Sequence, residues 1–137
     1  MTQSMLDQIG GEQSLKELVE HFYDLVEELP EGAQIRFLHM DGHGLAHTRT
    51  EQFDFLCGFF GGRSYYKEKH RHMDVKLIHE HIPIYPEDAE NWLKIMDMAL
   101  SDLNHDGPHI ERMRAALRRV AMVLVNKGDV VGVNSRR

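Results

Sequence analysis

Apolar side chains recur at intervals of three and four through most of this chain, and glycine or proline punctuates the gaps between the runs. Leu15, Leu18, Val19, Phe22, Val26 and Leu29 make one stripe that stops at Pro30, and Ser14 with Glu17 has the spacing of a capping box at its start. Leu45, Thr48, Gln52, Phe55, Leu56 and Phe59 make a second, closed by Gly61-Gly62; it begins near Leu45 or at a cap made by Thr48 with Glu51. Pro86 at a first-turn position, with Glu87 and Asp88 behind it at the positive helix end, opens a third stripe through Trp92, Met96, Ala99, Leu100 and Leu103. The fourth begins near Pro108, runs through Ile110, Met113, Leu117, Val120, Ala121 and Leu124, and ends before Gly128. The pattern predicts four main helices and no strand, an all-α fold.

Arg63 to Tyr85 breaks the rhythm. It is polar, aromatic and histidine-bearing, with a short helical turn expected only from Asp74 to Glu80. Irregular connections of this length are uncommon inside a compact domain and are often functional. Its last stretch, KLIHEHIPIYP from Lys76 to Pro86, sets His79 and His81 on either side of Glu80, and residue type alone does not distinguish them. VVGVNSRR at the end reads as a frayed tail, which divides the chain into a single domain at 1–128 and a flexible segment at 129–137.

Composition narrows the chemistry. A length of 137 residues suits one domain with a real core, and 42% apolar with 28% charged residues is a globular balance. No run approaches the roughly 20 apolar residues of a spanning helix, and the start, MTQSMLDQIGG, has no basic-then-apolar signal, so a cytoplasmic protein without a membrane partner is expected. The net charge of -6 and the scattered basic residues argue against nucleic acid as a partner. One cysteine, Cys57, rules out an internal disulfide and a cysteine-built metal site, and its apolar neighbours make it a core residue. No G-x-S-x-G, GxGxxG or phosphate-cradling glycine loop occurs. Ten histidines leave metal or haem ligation, pH response and plain surface use open. A zinc site from His43 and His47, helped by His70, His72, His79 or His81, has i, i+4 spacing in its favour, but Gly42 and Gly44 flank it and HExxH is absent. Haem between helix faces, with one histidine on iron, is compatible with the helix class.

Gly10-Gly11, LVEHFYDLVEEL from Leu18 to Leu29, FLCGFFGG from Phe55 to Gly62, YKEKHRH from Tyr66 to His72 and HEHIPIYPEDAENWL from His79 to Leu93 occur in an order and spacing that resemble the group II truncated haemoglobins, up to about Asn126. That family places its iron-binding histidine thirteen positions before a haem-contacting tryptophan, an interval kept by His79 and Trp92 and not by His81. The resemblance implies a two-over-two helical sandwich around haem b, with a very short first helix and an irregular segment before the iron ligand. It makes His79 the proximal ligand and places Tyr23, His39, Thr48, Gln52 and Trp92 around the distal ligand. Phe22, Phe55, Leu56, Ile82, Ile84 and Met96 become pocket wall, and Tyr66 with Lys76 or Arg63 lies toward a haem propionate. Two departures stand out: the family commonly has an arginine before the proximal histidine where this chain has Ile78, and Gly-His-Pro where it has Arg71-His72-Met73.

The function so implied is reversible binding of oxygen or another small diatomic ligand in a polar pocket, for sensing, scavenging or redox chemistry, by a monomer or homodimer. An enzyme at the same haem, a nitric oxide dioxygenase or a peroxidase-like protein served by a reductase, is the alternative. A haem-free helical interaction module is the third class.

Overall fold

The computed structural model describes residues 3–40, 44–74, 76, 79–80 and 82–127, the side chains of 37–40 excepted. Among them the regular structure is helical, with no strand: α1 (Met5–Gln8), α2 (Glu12–Glu28), a 3-10 turn at Pro30–Gly32, α3 (Ala33–Met40), α4 (Gly44–Phe59), α5 (Tyr65–His70), α6 (Pro86–Asp102) and α7 (Pro108–Leu124). Helix α2 packs on both α4 and α6, α6 packs on α7, and α5 lies on α4. The α2/α4 pair is thus set against the α6/α7 pair, as the two-over-two expectation required.

The stripe on α2 is the centre of the core. Leu15, Leu18, Phe22 and Val26 have no exposure, Val19 and Tyr23 only 1%, and Ile95, Met96, Ala99 and Leu100 of α6 close on them. Each large apolar side chain so buried contributes about 1.5–3 kcal/mol.

The four main helices match the apolar stripes, and the differences are at their ends. Helix α2 starts at Glu12 with Gly11 as its N-cap, so Ser14 lies inside the first turn. The capping box is formed earlier, where the Ser4 Oγ accepts from the Asp7 N–H at 3.0 Å and starts α1. Helix α6 opens as its sequence predicts, with Pro86 in the first turn and the buried Asp88 carboxylate accepting from the Tyr85 N–H at 2.8 Å. The stretch expected to be irregular contains α5, stopped by Arg71 in the left-handed conformation at φ 70°. Within the turn expected from Asp74 to Glu80, Lys76 and His79 are helical and Asp74 is not. The tail from Asp129 lies outside the described residues.

Close approach explains one glycine. Gly32 is seated against the end of α2, where a Cβ would come within 2.1 Å of the Val26 carbonyl oxygen. The same carbonyl accepts from Arg36 Nη1, which also donates to the Leu29 carbonyl at 3.2 Å. Any side chain at Gly32 would push α3 off the end of α2.

Candidate functional site

Helix periodicity aims Tyr23 into the core with the rest of the α2 stripe, and burial of a phenol needs a hydrogen-bond partner. Gln52 of α4 supplies it: the Tyr23 hydroxyl donates to Gln52 Oε1 at 3.2 Å. Burial pushes the Tyr23 phenol well above its usual value of 10.0, against the opposing positive charge of Arg49. The phenol therefore stays protonated and remains a donor. Phe22 touches it edge-on at 4.8 Å between ring centroids and meets the half-buried Trp92 of α6 at 5.0 Å, so Tyr23, Phe22 and Trp92 form a continuous aromatic run from α2 to α6. Met96, one turn beyond Trp92, is 1% exposed.

The α4 side of the site is held by a residue that the apolar pattern does not pick out. Arg49, one turn before Gln52 on α4, has its guanidinium carbon 5.9 Å from the Tyr23 ring centroid. It pairs with three carboxylates spaced along α2: Glu20 at 2.6 Å, Asp24 at 3.0 Å and Glu27. It also donates to the Glu20 carbonyl at 3.0 Å. This ion cluster joins α4 to the polar face of α2, while Tyr23–Gln52 joins them inside. Thr48 is half-buried one turn before Gln52, and Phe55 and Leu56 are buried one turn after it.

Tyr66, 8% exposed, packs edge-on against Phe55 at 5.6 Å and lies 4.3 Å from the His70 ring. Burial and the nearby Glu51 charge raise its phenol above the usual range. Glu51 receives His70 Nε2 at 3.0 and 3.2 Å and stands 3.4 Å from His47 Nε2. His47 and His70 thus share a carboxylate, and the described residues contain no group of three metal-ligating side chains. Lys76 is exposed, whereas Arg63 makes a two-pronged pair with Glu68 at 3.0 and 2.9 Å.

His79 is half-buried on helical backbone, with its carbonyl accepting from the Ile82 N–H at 3.0 Å. Ile84 is 9% exposed and Ile82 half-buried. Asn126, just beyond α7, reaches this stretch: its Nδ2 donates to the Ile82 carbonyl at 2.7 Å and the His79 carbonyl at 3.4 Å, and its Oδ1 accepts from the Ile84 N–H at 2.9 Å. The His39 backbone belongs to α3, but its side chain is outside the described residues, as are Ile78, His81 and His43. Of the expected set, Tyr23 and Gln52 are hydrogen-bonded, Phe22 and Trp92 are in ring contact, and so are Phe55 and Tyr66. Arg49, Glu51 and Asn126 are additions to that set.

The donor set has a definite chemical character. A neutral imidazole suits iron, apolar rings and aliphatic chains suit a porphyrin face, and a phenol, a carboxamide and an indole N–H offer hydrogen bonds to a small polar ligand.

Comparisons with known proteins agree with this geometry. The bacterial-like globin family profile matches residues 4–126. Group 2 truncated hemoglobin YjbI of Bacillus subtilis is 31% identical over 119 residues, covering 87% of this chain and 86% of that protein. Among solved structures, the group II truncated hemoglobin from Bacillus anthracis superposes with a TM-score of 0.86 at 30% identity, covering 96% of this chain and 98% of the other. A truncated oxygen-avid haemoglobin from Bacillus subtilis superposes with a TM-score of 0.80 at 30% identity, covering 90% of this chain and all (100%) of that one.

Proposed function

The chain belongs to the bacterial-like globins, in their group II truncated haemoglobin branch, and is a haem-binding globin; from this premise we propose that it binds oxygen, or another small diatomic ligand, reversibly in a polar distal pocket. The bound haem supplies the iron at which such a ligand attaches. His79 is the proximal ligand in this reading, through one ring nitrogen. Phe22, Phe55, Leu56, Ile82, Ile84 and Met96 exclude water from the haem faces, and Tyr66 with the exposed Lys76 stands toward a propionate. Tyr23, His39, Thr48, Gln52 and Trp92 surround the ligand.

The observation that carries the reading is the Tyr23–Gln52 hydrogen bond, 3.2 Å long with the phenol 1% exposed. A phenol has one proton to give, and here it goes to the carboxamide oxygen. The carboxamide keeps its two N–H donors free of that bond, so the pair offers a ligand either an amide N–H or, after a rotation of the phenol, the hydroxyl. Donors already inside the core stabilise a ligand with partial negative charge without having to be carried there from water. Such a pocket retains its ligand and suits sensing, scavenging or redox chemistry better than delivery. The oxygen-avid relative from Bacillus subtilis supports the same choice.

The test is oxygen release from the haem-loaded protein followed by stopped flow. Tyr23→Phe removes a hydrogen bond to a charged acceptor, about 1.5–3 kcal/mol, and should speed release by about 10- to 150-fold. Gln52→Leu removes the alternative amide donor, and release unchanged in both Tyr23→Phe and Gln52→Leu overturns the reading. Turnover of nitric oxide or peroxide with a supplied reductase, measured on the same preparation, separates a redox enzyme from a simple binder.

A further inference from the structure

We propose that Asn126 is a positioning residue for the iron ligand, fixing the backbone of the His79–Ile84 segment to the end of α7; this rests on the reading of His79 as the proximal ligand. Asn126 is exposed, yet its carboxamide makes three bonds to that segment, two given and one received. Its own N–H and that of Lys127 both donate to the Ile84 carbonyl, at 3.0 and 3.1 Å. A side chain needed only for solubility has no reason to satisfy three backbone groups of one loop. Of the side chains of this size, only a carboxamide presents two donors and an acceptor at once; Asp has no donor, and Leu has neither.

The placement matters because α7 is packed into the core. Ile110, Met113, Ala116, Leu117 and Ala121 bury the face of α7 that holds it to the bundle, and Asn126 follows two residues after its last turn. Among the described residues of the segment it grips, none after His79 is helical, and Pro83 has no N–H to give. Without the clamp the Ile82 carbonyl loses its Asn126 donor, and the His79 carbonyl keeps the Ile82 N–H but loses the bond that ties it to the end of α7. With it, the backbone that carries the imidazole has a fixed direction. Groups that orient a ligating histidine rather than bind the metal change metal affinity and electronics when they are lost.

Asn126→Ala removes all three side-chain bonds. Asn126→Asp keeps the size and the acceptor for Ile84 but sets a carboxylate against two carbonyl oxygens. In the haem-loaded ferrous protein, the iron–imidazole stretching band seen by resonance Raman should shift or broaden in both variants, more in Asn126→Asp. In the haem-free protein, hydrogen exchange at the Ile84 amide should quicken about tenfold in Asn126→Ala, for the loss of one bond, and less in Asn126→Asp. A band unchanged in both variants overturns the proposal, even if Ile84 exchange quickens, because the clamp would then serve only the chain end. His79→Gly, with and without added imidazole, tests the underlying assignment separately. Loss of the band with its return on imidazole supports that assignment, and a band that survives His79→Gly refutes it and the proposal with it.

Discussion

Tyr23 shows how one buried phenol links stability to pH. Its folded-state pKa lies above the unfolded value near 10.0, with burial as the cause and Arg49 the main opposing charge. Below that value both folded and unfolded chains keep the proton, so the contribution is fully present. Above it the unfolded chain ionises while the folded one resists, and stability falls as pH rises. The wild-type chain should therefore lose unfolding free energy from about pH 10 upward, and Tyr23→Phe should lose less over the same range. Urea titrations of both proteins at neutral and alkaline pH check it, and parallel losses would assign the effect to other tyrosines. The residue also marks the limit of periodicity as a guide. A tyrosine on the apolar face of α2 reads as core, and it is core; only the resemblance singles it out as a ligand contact. Gln52 was legible in the same way. Asn126 was not, because its partners lie 42 to 47 positions away in sequence and nothing local announces them.

At the scale of elements, the helices with a full apolar stripe were legible from periodicity and the short ones were not, although the resemblance implied the very short α1. Helix α5 has six residues, four of them charged or histidine, and it buries only Tyr66. It exists because Phe55 of α4 receives that ring, a tertiary contact that no local period encodes. Its end explains one departure from the family pattern. Arg71, where the resemblance to the family implies a glycine, occupies the left-handed conformation, φ 70°, that glycine adopts without steric penalty. A non-glycine residue there costs about 1–2 kcal/mol, while glycine adds up to about 1 kcal/mol of unfolded-state entropy. Arg71→Gly should thus raise stability by up to about 1 kcal/mol. Chemical denaturation of the two proteins measures this, and a less stable Arg71→Gly would mean that the arginine side chain makes a compensating contact. Arg49 belongs to the same scale: its carboxylates lie at i, i+4 and i+7 along α2, so the polar face of α2 forms a seam to α4.

Across the whole molecule the same side chains serve as core and as proposed haem wall, and this couples loading to folding. Phe22 and Met96 are 0% and 1% exposed, Leu56 3% and Phe55 9%, and they stand on three helices that belong to both pairs of the sandwich. A group bound by the folded chain alone stabilises it by RT ln(1 + [L]/Kd), about 4 kcal/mol at roughly a thousandfold excess over Kd, which corresponds to a Tm rise of roughly 10–20 °C for a domain of this size. Reconstitution should therefore produce a Soret band and that rise together. His79→Gly should diminish both, since the iron loses its protein ligand, while His81→Gly should leave both near wild type, because thirteen positions to Trp92 select the first histidine and not the second. The haem-free forms of all three proteins should unfold within a few degrees of one another, so that the difference tracks loading rather than folding. Loss of haem confined to His81→Gly would move the iron ligand two residues along the segment that Asn126 holds.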